Sequence, residues 1–189
     1  MTGPVSAAIR DRRSIGRVAP DPLPRALVAE LVAAAIQAPN HHLTCPWRFV
    51  VLAGDARREV GEAHARAVAR LKPEHPPAGL AKEAALLERA PVVIACCVAG
   101  TADPAQALED RDTVAAGIQN MLLAAHERGL AAIWRTGSMT AEPEVAEAIG
   151  IGAGDAIVGL VYVGRPLPDV VVTHPGRPSV DELTVWRGW

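Results

Sequence analysis

Between Gln37 and Phe49 the chain reads QAPNHHLTCPWRF, which sets two adjacent histidines and a cysteine just ahead of a tryptophan. Imidazole and thiolate are zinc ligands, so His41, His42 and Cys45 are candidates for a metal site. Adjacent side chains seldom converge on one ion, however, and His64, His75 and His174 fall on separate segments. Polar residues of a loop or pocket fit the pattern better, and no metal is expected. A Cys45 nucleophile paired with a histidine would lack an orienting third group. A small residue before Pro46 is explained by entry into a strand.

RDRRSIGR, Arg10 to Arg17, crowds arginines and a serine at the end of a short helical stretch. Guanidinium forks and a hydroxyl are the donors a phosphate monoester requires. Taken alone, the segment fits a solvated basic face equally well. GIGAGDAIVG, Gly150 to Gly159, is not a dinucleotide fingerprint: it follows a helix instead of a strand, and its third glycine is out of place. It reads as a helix-to-strand turn.

The elements that must position these groups follow from hydrophobic period. Helices are expected at Ala7–Arg13, Pro24–Pro39, Ala56–Leu71, Leu80–Arg89, Glu109–Arg128 and Glu142–Ile149, the last started by Thr140. Strands are expected at Trp47–Gly54, Val92–Val98, Leu130–Thr136 and Ala156–Gly164. Three prolines between Leu71 and Gly79 predict a long surface loop there, of the kind that covers pockets. Helices alternating with strands around a central sheet give an α+β or α/β layer. One domain over residues 1–189 is expected, with 165–189 as an irregular arm whose apolar end, TVWRGW, must pack on its own body or on a partner.

Composition narrows the function classes. The chain has 189 residues, 50% of them hydrophobic, and a formal net charge of −2. Its arginines are interleaved with acids, so nucleic acid is not an expected partner. Its longest apolar run, PVVIACCVAG, is too short to span a bilayer. Three cysteines, two of them adjacent, imply no disulfide framework. A soluble, cytoplasmic protein is expected.

RRS at Arg12 to Ser14, APNHHLTCPWRFVVL at Ala38 to Leu52 and GLAAIWRTG at Gly129 to Gly137 stand in an order and spacing that resembles the FMN-dependent nitroreductase family, most closely its short members. The resemblance covers Ala7 to Arg165. It implies an α+β nitroreductase-like fold with a central mixed sheet flanked by helices, a homodimer with FMN at the subunit interface, and a terminal arm packed on the partner subunit. It also implies hydride transfer from NADH or NADPH, through bound flavin, to a nitroaromatic, quinone or related electron-poor small molecule. By position, Arg12, Arg13 and Ser14 would hold the phosphate and ribityl chain. Gln37 and His41 would meet the flavin, from the other subunit, and Trp134, Arg135 and Thr136 would flank it. Ala124, Ala125, His126, Glu127, Arg128 and Gly129 align with a stretch linked to the nicotinamide dinucleotide.

The residues agree with that chemistry. A flavin needs an anchored phosphate, a flat wall, and a cation to stabilise the charge it gains on reduction, and Arg135 suits either that last role or the phosphate. The flavin carries the reaction, so no side-chain catalytic residue is required. Leu43 and Cys45 depart from the Asn and Gln common in the better-known branch, so acceptor preference does not transfer. A flavin-binding protein with a storage, sensing or interaction role and little turnover fits the same residues.

Overall fold

The computed structural model describes residues 3–189, so the first two residues of the expected 1–189 domain lie outside the described residues. Helices α1 (Pro4–Asp11) and α2 (Arg25–Ala35) lead to strand β1 (Trp47–Ala53). Then come α3 (Asp55–Leu71), α4 (Pro77–Ala84), β2 (Val92–Val98), α5 (Pro104–Glu127), β3 (Ala131–Arg135), α6 (Pro143–Ile149), β4 (Ala156–Gly164) and a short α7 (Val180–Leu183). Local chemistry sets several of these boundaries. Asp103 caps α5 by accepting from the Ala105 N–H at 2.9 Å, with Pro104 in the first turn. Gly150, at φ 78°, ends α6 in the left-handed conformation.

The sheet has the order β1-β2-β4-β3, and every neighbouring pair of strands is antiparallel. This corrects the mixed sheet of the sequence reading. Strands β2 and β3 do run in the same direction, as expected of strands joined by one long helix, but β4 inserts between them and opposes both. Two helices, α3 and α4, separate β1 from β2, and the second pass returns the chain antiparallel. Among the described residues, parallel pairing is confined to a single bridge from Ser14 to Ala132.

Side chains alternate across β2. Val92, Ile94, Cys96 and Val98 face one core with Leu31, Val114, Ile118 and Met121, while Val93, Ala95 and Cys97 face the other with Val60, Leu87 and Val145. Helices α2 and α5 cover the first face, α3 and α6 the second. The alternation in β4 breaks at a bulge, where Cys96 pairs with Gly159 and Cys97 with Ile157. A Cβ on Gly159 would lie 1.9 Å from the Trp134 indole nitrogen, so the glycine makes room for that ring.

Three other expectations are corrected. Helix α1 stops at Asp11, because Arg12 turns to an extended conformation at ψ 133° and carries its side chain out of the helix. The proline-rich loop shrinks to residues 72–76, since Pro76 and Pro77 start α4 instead of excluding it. Thr140 lies in a 3-10 turn, Ser138–Ala141, and Glu142 occupies the N-cap of α6.

Candidate functional site

A groove of about 370 Å³ runs between the segment after α1 and the arm after β4. Its walls include Arg12, Arg13, Ser14 and Arg17 on one side and Val170–Thr173 and Arg177 on the other, and no carboxylate lines it among the described residues. The Ile15 N–H donates to the Ala132 carbonyl at 3.1 Å and Ser14 bridges to the same residue, so the arginine segment is pinned to the edge of β3. The arm is fixed by the Ala19 N–H donating to the Arg165 carbonyl at 2.8 Å, and by Arg17 paired to Asp169 at 3.0 Å.

Two arginine nitrogens here lack acceptors. Arg12 Nη1 and Arg13 Nε are buried without a hydrogen-bond partner among the described residues. Arg13 Nη1 donates to the carbonyls of Arg10 and Arg12 at 2.6 and 2.7 Å, and its Nη2 contacts His174 Nδ1. Burial, with Arg13 and Arg177 nearby, lowers the Arg12 pKa from its ordinary value. A guanidinium stays charged even so, and several positive charges with an unused donor are the chemistry an anion would require.

Arg135 ends β3 beside this segment. Its guanidinium lies 5.5 Å from the centre of the Tyr162 ring, and a Cβ on Gly16 would sit 3.2 Å from its Nη2. Thr136 follows it, exposed. Trp134 points elsewhere: its ring packs on the core between the sheet and α5, and its indole nitrogen has no partner. That side chain packs the fold and lines no part of the groove.

The remaining candidates do not join the groove within one chain. Gln37, exposed after α2, lines a separate depression of about 790 Å³ with α1 and with Ala124, His126 and Glu127 of α5. Ala125 is fully buried, so its side chain is core. Arg128 is engaged by Glu30 at 2.6 Å and Glu127 at 3.1 Å, and Gly129 serves as the left-handed stop after α5 at φ 66°.

His41 and His42 lie on a 3-10 turn, His41–Leu43. His41 Nδ1 is 2.8 Å from a Glu109 carboxylate oxygen, and the two imidazoles stack with centres 3.9 Å apart. Donor atoms of His41, His42 and Glu109 fall within 4.8 Å of one another, closer than adjacency in sequence suggested. The ring planes are only 23° apart, however. Lone pairs lying in nearly parallel planes cannot meet about 2.0–2.1 Å from both nitrogens, so the trio is not a preformed metal site. Cys45 is exposed.

Sequence reasoning missed Arg177 and His174. The signal was the HPGRP stretch of the arm, but nothing in it tells that the arm folds back over Arg12.

Fold and groove together define an α+β protein with a cationic cleft at one edge of its sheet. The sequence profile of the Nitroreductase family matches residues 9–165, and the chain belongs to that family. It is similar to YfhC of Bacillus subtilis, named provisionally as an NAD(P)H nitroreductase, with 28% identity over 180 residues covering 93% of this chain and 92% of that one. It is also similar to YdjA of Escherichia coli K12, likewise named, with 30% identity over 160 residues covering 82% and 85%. Among solved structures, a nitroreductase-like family protein from Bacillus cereus superposes with a TM-score of 0.86 at 25% identity, covering 100% of this chain and 98% of that one. A Desulfovibrio desulfuricans protein, provisionally a nitroreductase and solved in complex with FMN, gives 0.75 at 25% identity, covering 100% and 99%. No helix among the described residues is long and apolar enough to cross a membrane.

Proposed function

We propose that the protein is a homodimeric flavoenzyme that binds FMN and takes reducing equivalents from NADH or NADPH to an electron-poor small molecule such as a nitroaromatic or a quinone. The observation that carries the reading is the buried, unpartnered Arg12 Nη1 in a groove lined by Arg13, Ser14, Arg17 and Arg177 and by no acid. A phosphate monoester fits that donor set in charge and in hydrogen-bonding capacity. The FMN complex of the Desulfovibrio relative adds support by similarity.

In this reading Arg12, Arg13, Ser14 and Arg177 hold the phosphate end. Arg135, next to the same segment, supplies positive charge toward the ring system. Gln37 and His41 belong to the second half of the site, contributed by the partner subunit, which accords with their distance from the groove in the fold of one chain. Bound flavin would supply the hydride chemistry. The protein's share is then to anchor, orient and bias electrostatically, and no side-chain nucleophile is needed. The apolar side chains exposed on the arm, Val180, Leu183, Val185, Trp186 and Trp189, favour a subunit contact there.

The test is the visible absorption of the purified protein, followed by NADH and NADPH oxidation with nitroaromatic and quinone acceptors. A yellow protein that turns over is expected. A protein that stays colourless after incubation with FMN overturns the reading, and a flavin-loaded protein without turnover on any acceptor leaves binding but removes the enzyme.

A further inference from the structure

The loop carrying His41 has an unusual backbone. His42, Leu43 and Cys45 take φ values of 55°, 53° and 49°, and none of them is glycine. Left-handed conformation is unfavourable for such residues, more so for the γ-branched Leu43 than for a histidine, and surrounding contacts must offset it.

Those contacts form one chain of hydrogen bonds. Asn40 Oδ1 accepts from the Cys45 N–H at 2.8 Å, while its Nδ2 donates to the His41 carbonyl at 3.1 Å and to Thr44 Oγ1 at 3.0 Å. The Thr44 hydroxyl, having accepted from Asn40, donates to Asp110 Oδ1 at 2.5 Å. Gln106 Nε2 donates to the same oxygen at 3.1 Å. Asp110 is only 4% exposed on α5 and faces these two neutral donors. Burying a carboxylate is unfavourable, and an apolar residue would fill the space without that cost. What the carboxylate adds is a strong acceptor at the base of the loop. The preceding residue, Glu109, holds the His41 ring. Helix α5 therefore fixes the loop backbone and the imidazole from adjacent positions. The product is a strained loop that presents a stacked imidazole pair and a Leu43 side chain that is 82% exposed. Flat imidazole faces beside an apolar tip suit an aromatic ring.

We infer that Asp110, acting through Thr44 and Asn40, is a positioning residue that presets the His41–Leu43 loop against the ring system of the bound flavin. The inference rests on the reading of His41 as a flavin contact. Asp110 touches no ligand itself.

Three variants test it: Asp110→Ala, Thr44→Val, and Asp110→Asn, whose amide oxygen still accepts from Thr44. The readouts are amide hydrogen exchange at residues 40–45 in flavin-free protein, FMN affinity by quenching of flavin fluorescence, and affinity for inorganic phosphate. Asp110→Ala and Thr44→Val are expected to speed exchange at the Cys45 amide and to weaken FMN at least tenfold, with phosphate affinity unchanged. Asp110→Asn is expected to stay within about threefold of the wild type in FMN affinity. FMN affinity unchanged in both Asp110→Ala and Thr44→Val overturns the inference, whether or not the loop loosens, and leaves the flavin reading standing. Equal losses of FMN and phosphate affinity overturn it too, because they mark general damage. A wild-type protein that binds phosphate but no FMN overturns both.

Discussion

Arg12 is the residue on which the site turns. Arg12 lines a groove with no carboxylate among its described lining residues, and its buried Nη1 has no partner among them, so an anion that reaches it gains charge-assisted hydrogen bonds. Arg12→Ala is expected to weaken FMN binding by about 1–3 kcal/mol, the range for hydrogen bonds to charged groups, as read by fluorescence titration. Unchanged affinity would move the phosphate anchor elsewhere. His41→Ala is expected to lower flavin retention or shift the visible spectrum, and elemental analysis of the wild type is expected to give no stoichiometric metal, since the stacked rings do not aim at one point. The cysteines separate by burial. Cys96 and Cys97 are fully buried, and burial pushes the Cys97 thiol up to about 12 and raises that of Cys96 too. A thiol reagent is therefore expected to label Cys45 alone in native, flavin-free protein and all three cysteines after unfolding. Rapid labelling of more than one thiol in the folded state contradicts this.

At the scale of elements, the bulge in β4 is the sharpest local device. The unpaired residue between Ile157 and Gly159 shifts the strand's inward parity, and the glycine lets the Trp134 ring lie on the sheet. Gly159→Ala is expected to destabilise by at least about 1–3 kcal/mol, the cost of overpacking, because the nearest atoms belong to a rigid indole. Thermal or urea unfolding measures it, and a melting temperature equal to the wild type would show that Trp134 moves aside freely. The strand positions and the long helices were legible in the sequence because each carries a strong apolar period. The direction of pairing was not legible. It depends on how many helical passes separate two strands and on β4 inserting between β2 and β3, which no local pattern encodes. The turn at 72–76 was misread for a related reason: Pro76 and Pro77 break the helix before them and start the one after, and sequence alone weighted only the break.

For the whole molecule, the two halves of the proposed site must meet across subunits. In one chain Arg12 and His41 line different depressions, and the last ten residues carry exposed Val180, Leu183, Val185, Trp186 and Trp189. Sedimentation is expected to give twice the 19.8 kDa chain mass. Removing residues 180–189 is expected to shift the equilibrium toward monomer and lower FMN affinity together. A stable monomer that binds FMN with full affinity would confine the whole site to one chain.

By itself the sequence determined the strand and long-helix positions, the family resemblance that implies the α+β class, and the arginine cluster at Arg12 to Ser14. Each of these is written in residue type at short spacing, where periodicity and side-chain chemistry act locally. Only the tertiary structure decided that Arg177 and His174 close over that cluster from the far end of the chain, that Trp134 turns into the core, and that Asp110 holds the strained loop at His42. Those outcomes depend on contacts between segments distant in the chain, set by where α5 and the arm pack against the sheet.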